Sequence, residues 1–346
     1  MPQENPFTLM FGKKPERYIT RYENTEQITS TFQANNPLSQ IYLIEGVRGS
    51  GKTVLMTAVG KELSERDRWI VVNLNPMRDL LDDLAKRLTD SCRGIRDFFE
   101  KGFSLSLPGV GMGVNGMPAE DPVSIIERLL ERLKKKNHKV LITIDEVRHD
   151  QNMRIFASQF QIFVRQDYPL FLLMTGLYED IYAVQNDPAL TFLLRSPKLR
   201  LKPLSLTQIV YQYQSIFQIE PEAARELAQI TKGYAFAFQA LGALYWEYGK
   251  KRSLSEILAM LDGMLDDYVY KKIWEGLSKQ DKNVVKAIGN ADALRVKEIC
   301  ERTGMTSSTF SKYKERLENK GILESPSHGY VSLSLPRFGN VVQNYM

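Results

Sequence analysis

Eight residues, Gly46-Val-Arg-Gly-Ser-Gly51-Lys52-Thr53, carry the spacing G-x-x-x-x-G-K-[ST]. Each type has a task in gripping phosphate. Glycines let backbone N–H groups curl around the anion, the lysine reaches its outer oxygens, and the threonine hydroxyl sits on Mg²⁺. The context suits the motif: an apolar run, Ile41-Tyr-Leu-Ile44, precedes it, and a helix-competent stretch over 53–65 follows. Gly46, Val47, Arg48, Gly49, Ser50, Gly51, Lys52, Thr53 and Val54 are therefore expected to bind a nucleoside triphosphate, with ATP as the ligand.

Such a loop needs a carboxylate on a second buried strand. Val140-Leu-Ile-Thr-Ile-Asp145-Glu146 has that form. Asp145 and Thr53 are the expected Mg²⁺ ligands, and Glu146 is placed to polarise the attacking water. An adjacent glutamate favours an ATP hydrolase over a nucleotide holder, and the activity is expected to be slow or stimulated by a partner. Thr175, at the end of Leu173-Met-Thr175, is either a water-positioning residue or a threonine closing a strand. Arg195, and with less support Arg200, could serve a neighbouring subunit as an arginine finger.

Elements able to position these groups follow from patterning. Apolar runs at 41–45, 69–74, 139–145, 170–175 and 199–202 read as strands, separated by helical stretches at 53–65, 77–89, 122–135 and 153–165. That alternation implies a parallel sheet covered by helices. In the chain, the strand at 69–74 falls between the P-loop strand and the Asp-Glu strand. After Pro203 strands cease, and 207–217, 221–232, 235–248 and 254–265 read as amphipathic helices. Residues 102–116 are glycine-rich with alternating apolar residues, which fits a surface loop or a ligand-contacting hairpin.

The last fifth has a different character. Helical patterns at 279–288, 295–303 and 307–320 are followed by a turn at 325–329 and an apolar alternation over 330–335. Thr303-Gly304 closes one helix and Thr306 is a good N-cap for the next, a helix-turn-helix signature. The whole resembles a winged helix. In that arrangement the third helix would enter the major groove of double-stranded DNA. Ser307, Ser308, Thr309, Ser311, Lys312, Lys314 and Arg316 would face it, and His328 lies at the wing tip. From Ser278 onward there are eleven basic against seven acidic side chains, which accounts for most of the net charge of +5. Winged helices also dock proteins, so a protein partner is the alternative.

Composition sets the remaining bounds. With 346 residues, 43% hydrophobic and 25% charged, the chain is expected to form two or three globular domains. No run reaches the length of a membrane span, and the N-terminus lacks a signal-peptide pattern. Two distant cysteines, Cys92 and Cys300, form no metal spacing. A cytoplasmic setting without a membrane partner is expected.

The arrangement resembles the AAA+ and STAND branches of the P-loop ATPases, and within them the origin-recognition-type initiators and the prokaryotic "archaeal ATPase" group. Three stretches carry the likeness beside the two nucleotide motifs. They are Asn5-Pro-Phe-Thr-Leu-Met-Phe-Gly12 with Arg17–Arg21, Leu201-Lys-Pro-Leu-Ser205 at the sheet-to-lid junction, and Gly233-Tyr-Ala-Phe-Ala-Phe-Gln-Ala-Leu-Gly242 in the lid. The resemblance implies an α/β fold: a P-loop NTPase parallel sheet (AAA+/ASCE-like), then an all-α lid and a winged-helix domain, with boundaries 1–204, 205–275 and 276–346. It also implies that Arg21 approaches the nucleotide, that copies can oligomerise, and that ATP state governs DNA binding. A STAND-like switch, or an ATP-dependent transcription regulator, is the alternative. Departures are Thr20 where the group has glycine, Ala235 where STAND proteins have proline, and no sensor arginine in 234–238. Direct contact between lid and γ-phosphate is thus what the resemblance does not carry over. Phe7 and Phe11 read as core residues rather than adenine-stacking rings.

Overall fold

The computed structural model describes residues 4–9, 18–93, 95 and 121–345. The glycine-rich stretch 102–116 and Phe11 lie outside the described residues. The chain forms two compact units. A sheet unit comprises Tyr22–Glu45 and Leu55–Arg200, and a lid unit comprises Met1–Arg21, Gly46–Val54 and Leu201–Met346.

In the sheet unit, β1 (Ile41–Glu45), β2 (Trp69–Leu74), β3 (Lys139–Ile144), β4 (Leu170–Gly176) and β5 (Lys198–Arg200) are all parallel, in the order β2-β3-β4-β1-β5. β1 and β4 are buried throughout, because continuous apolar strands need cover on both faces. Helices supply it: α1 (Tyr22–Gln33), α2 (Lys52–Ser64, which begins in the lid unit), α3 (Leu80–Arg93), α4 (Pro122–Lys135), α5 (Gln151–Arg165) and α6 (Tyr178–Gln185). On one face Leu43, Ile142 and Leu172 share a core with Leu84, Leu129, Phe156 and Phe160. On the other, Phe32 of α1 packs against the rings of Tyr42 and Phe171, with centroids 5.6 and 5.0 Å away.

Two features of this unit differ from the linear reading. Trp69–Leu74 lies between the P-loop strand and the Asp-Glu strand in the chain, but in space β4 separates those two strands and β2 takes the sheet edge. Chain order does not specify sheet order, since a crossover helix can carry the chain past more than one strand position. The helix expected over 77–89 instead starts at Leu80. Asp79 accepts the N–H groups of Leu81 and Asp82, both at 3.0 Å, and so acts as its N-cap.

The lid unit is helical up to its last strands. α7 (Leu206–Phe217), α8 (Pro221–Ile230), α9 (Ala235–Tyr248) and α10 (Leu254–Leu265) lead through a π-type turn, Asp266–Tyr270, into α11 (Lys271–Glu275). Then come α12 (Lys279–Ile288), β6 (Leu294–Arg295), α13 (Val296–Thr303), α14 (Ser307–Asn319), β7 (Leu323–Glu324), β8 (Tyr330–Leu333) and α15 (Phe338–Val342). The short strands form an antiparallel sheet in the order β6-β8-β7. β6 occupies residues assigned above to a linker and a helix start. Two residues are too few to show a period, and only pairing of Leu294 with Val331 reveals it.

Side chains at the helix starts explain where each begins. Ser253 and Ser278 form reciprocal capping boxes with Glu256 and Asp281, and Ser205 and Thr306 cap α7 and α14. Phe7 packs in the lid core against Tyr213, Phe217 and Phe238, as its core reading expects. Among the described residues no helix is long and apolar enough to cross a membrane.

Candidate functional site

The phosphate loop leaves β1 at Glu45, on the carboxyl edge where β4 and β5 also end. Gly49 and Gly51 adopt φ of +76° and +93°, the left-handed region that glycine enters without steric cost. Lys52 is buried and donates through Nζ to the carbonyls of Gly46 at 2.9 Å and Val47 at 3.1 Å. An ammonium taken out of water needs such acceptors, and phosphate oxygens are of the same kind. Thr53 and Val54, both half-buried, continue into α2.

Three groups hold the loop from outside. The Arg21 guanidinium donates to the carbonyls of Lys202 at 2.6 Å and Ser50 at 3.2 Å, joining the loop to the junction that opens the lid. Burial pulls its pKa down to about 10, which leaves it charged at neutral pH. The Tyr234 hydroxyl, at the start of α9, donates to the Arg48 carbonyl at 2.5 Å, and its burial pushes the phenol pKa well up. The Phe236 N–H donates to the Gly49 carbonyl at 3.1 Å. A Cβ on Gly49 would stand 2.2 Å from the Tyr234 hydroxyl, so side-chain bulk is excluded there as well as by φ.

In the sheet unit, Thr175 is fully buried at the end of β4. Its hydroxyl donates to an Asp145 carboxylate oxygen and accepts the Glu146 N–H at 3.2 Å, while its carbonyl accepts the Val147 N–H at 2.9 Å. Glu146 sits at φ +53°, a conformation that non-glycine residues adopt only when their surroundings impose it. The structure thus brings Asp145, Glu146 and Thr175 together. Arg195 is exposed at the end of the 3₁₀ turn Thr191–Arg195. Arg200 instead bonds the buried Glu45 at 2.7 Å and lies over the Tyr178 ring, 5.5 Å from its centroid.

Two further groups went unread in the sequence. Glu45, the last residue of an otherwise apolar strand, is one, and its carboxyl at a strand end was the available signal. The other follows the Asp-Glu pair. His149 and Arg154 both contact the buried Asp187, at 2.7 and 2.9 Å. The hydrogen bond from His149, then that from the Ala189 N–H, holds the Asp187 carboxyl below the usual carboxylate range. No local pattern links residues so far apart in the chain.

On the C-terminal part, Ser307, Ser308, Thr309, Ser311 and Lys312 are exposed along α14. Lys314 is half-buried, 3.7 Å from Glu318. His328 is exposed in the turn between β7 and β8. Arg316 is exposed yet engaged: it reaches the buried Asp281 at 2.5 and 3.1 Å and Ser278 Oγ at 3.1 Å, and it covers the Tyr313 ring. That guanidinium ties α14 to the start of α12. Among the described residues, no group of three or more His, Cys, Asp or Glu could hold a metal by itself.

Residues 267–342 match a family model described as a domain of unknown function (DUF8462). No curated protein matches the chain. Solved structures do. The ORC2 protein of Aeropyrum pernix in its ADPNP–ADP complexes superposes with a TM-score of 0.61 at 16% identity, over 97% of this chain and 96% of that one. Its ADP form gives a TM-score of 0.53 at 14% identity, again over 97% and 96%. Cdc6p of Pyrobaculum aerophilum gives 0.49 at 15% identity, over 95% and 94%. At such identities the ORC2 likeness is one of fold. The chain has an α/β fold like that of ORC2, and here it is built on a five-stranded parallel sheet with a large helical complement.

Proposed function

We propose that this protein binds ATP with Mg²⁺ and hydrolyses it, and that its nucleotide state governs a C-terminal winged helix that binds double-stranded DNA. The observation that carries the nucleotide part is, within the sheet unit, the Asp145–Thr175–Glu146 cluster at the end of β4, where Thr175 is in register with Ile44 of the strand that leads into the P-loop. Lys52 exchanges its bonds to the Gly46 and Val47 carbonyls for phosphate oxygens. Backbone N–H groups of 46–54 cradle the phosphates, with Arg21 holding the loop's outer side. The Thr53 hydroxyl and Asp145 carboxylate would hold Mg²⁺. They are a hard oxygen set of the small size this ion takes from protein when phosphate and water complete its shell. When bound, the ion neutralises charge on the β- and γ-phosphates. Thr175 keeps the Asp145 carboxylate oriented, and Glu146 accepts a proton from the attacking water. Arg195 of one copy would serve the site of another in an oligomer.

The parts are taken as an ATPase domain over 1–204, a lid over 205–275 and a winged helix over 276–346. Exposed Ser307, Ser308, Thr309, Lys312 and His328 support the DNA reading; Arg316, also exposed, has its charge paired with Asp281. That ion pair also favours the second reading, a STAND-like switch whose winged helix binds protein, because it neutralises one cation of the helix that would face DNA. Two measurements test the proposal. Lys52→Ala is expected to abolish binding of a fluorescent ATP analogue, while Glu146→Gln binds it and loses hydrolysis. Duplex DNA titrated at rising salt should lose affinity steeply. Absence of binding at low salt, with ATP hydrolysis intact, would leave the protein-switch reading.

A further inference from the structure

Residues 234–238, at the start of α9, contain no arginine, yet they meet the phosphate loop at two bonds. Arg48 C=O accepts from the Tyr234 hydroxyl at 2.5 Å, and Gly49 C=O accepts from the Phe236 N–H at 3.1 Å. In a planar trans peptide the carbonyl and the following N–H point in opposite directions. Anchoring the Arg48 and Gly49 carbonyls outward therefore aims the Gly49 and Ser50 N–H groups into the loop. Ser50 N–H does point there, donating to the Val47 carbonyl at 3.2 Å, the same oxygen that Lys52 reaches. These inward N–H groups are what a phosphate would take.

Tyr234 also has a second neighbour. Its ring stacks on Tyr270, with centroids 6.3 Å apart and planes inclined by 26°. The Tyr270 hydroxyl donates to the Pro336 carbonyl at 2.5 Å, and its ring meets Phe338 edge-on at 4.9 Å. The same corner is pinned to the lid by Arg337, which bridges both oxygens of Asp262, and by Lys232 Nζ on the Leu333 carbonyl at 2.9 Å. Both tyrosines are buried, so motion of one ring cannot be absorbed by solvent.

We propose that Tyr234 is the positioning residue through which the lid presents the phosphate loop. Its stack on Tyr270 then carries the loop's state to the Pro336–Phe338 corner of the C-terminal part. The inference rests on the nucleotide reading above. Its test compares three hydroxyl deletions in the full chain, using a fluorescent ATP analogue and amide hydrogen exchange over residues 330–342. Tyr234→Phe is expected to weaken the analogue about tenfold, as loss of one buried hydroxyl–carbonyl bond would. It should also abolish the change in exchange at 330–342 even at saturation. Tyr270→Phe should keep wild-type affinity and lose that change. Tyr213→Phe removes an equally buried hydroxyl, bonded to the Phe238 carbonyl at 2.7 Å on the same helix, and should alter neither readout. Wild-type affinity in Tyr234→Phe, an equal loss in Tyr213→Phe, or a retained response in Tyr270→Phe overturns the proposal. If the wild-type chain itself fails to bind the analogue, the nucleotide reading falls with it.

Discussion

At the scale of single residues, the most instructive side chain is Thr175. One hydroxyl serves both carboxylate-bearing residues, donating to Asp145 and accepting from the Glu146 backbone. Thr175→Val keeps the shape and removes both bonds. It should leave the nucleotide dissociation constant within about threefold and lower kcat at least tenfold, a loss of about 1.4 kcal/mol in transition-state stabilisation. Steady-state hydrolysis beside equilibrium binding separates the two quantities, and a fall in affinity alone would reduce Thr175 to a strand-terminus role. The place of Glu146 directly after an apolar strand was legible in the sequence. Its left-handed φ was not, because that conformation comes from the loop's closure onto β4.

At the scale of elements, the P-loop and α14 each depend on one contact that spacing could not show. Gly49 is held between a backbone needing φ +76° and the Tyr234 hydroxyl. Gly49→Ala is therefore expected to destabilise the protein by about 1–2 kcal/mol from φ alone, and to remove nucleotide binding. Calorimetry and analogue titration would report these separately. Arg316 matched the basic stretch of a recognition helix in sequence, and folding turned it toward Asp281, which lies on another helix 35 positions away. Arg316→Ala takes the cation from one oxygen of the buried Asp281 carboxylate, while the other keeps the Ser278 N–H and hydroxyl. It should lower the melting temperature clearly, with a cost of about 1–3 kcal/mol for a bond to a charged group, reduced by the arginine's partial exposure. Lys312→Ala should leave the melting temperature unchanged. A larger effect of Arg316→Ala than of Lys312→Ala on duplex affinity, at equal stability, would contradict the structural role given to Arg316.

At the scale of the whole molecule, the fold matches ORC2 of Aeropyrum pernix over nearly its full length at 16% identity, which says how tolerant this architecture is of sequence change. The DNA part of the proposed function is tested at this scale. If Lys312 and Lys314 neutralise phosphates, the slope of log affinity against log salt should flatten by about 0.9 for each lysine replaced. An ATP analogue should shift the wild-type curve but not that of Lys52→Ala. Identical curves with and without nucleotide in the wild type would separate DNA binding from nucleotide state.

The chain by itself determined the phosphate loop, the Asp145-Glu146 pair, the alternation that makes a parallel sheet, and the switch to helices after Pro203. Each rests on local spacing: a strand's apolar run, a glycine's freedom, a helix's period. Tertiary structure alone decided that β4 lies between the two motif strands, that Thr175 bridges Asp145 and Glu146, that Tyr234 grips the Arg48 carbonyl, and that Arg316 pairs with Asp281. These pairings join residues about 30 to 190 positions apart, and what selects them is burial. A hydroxyl or carboxylate removed from water must find a partner wherever packing brings one, and no local pattern records which that will be.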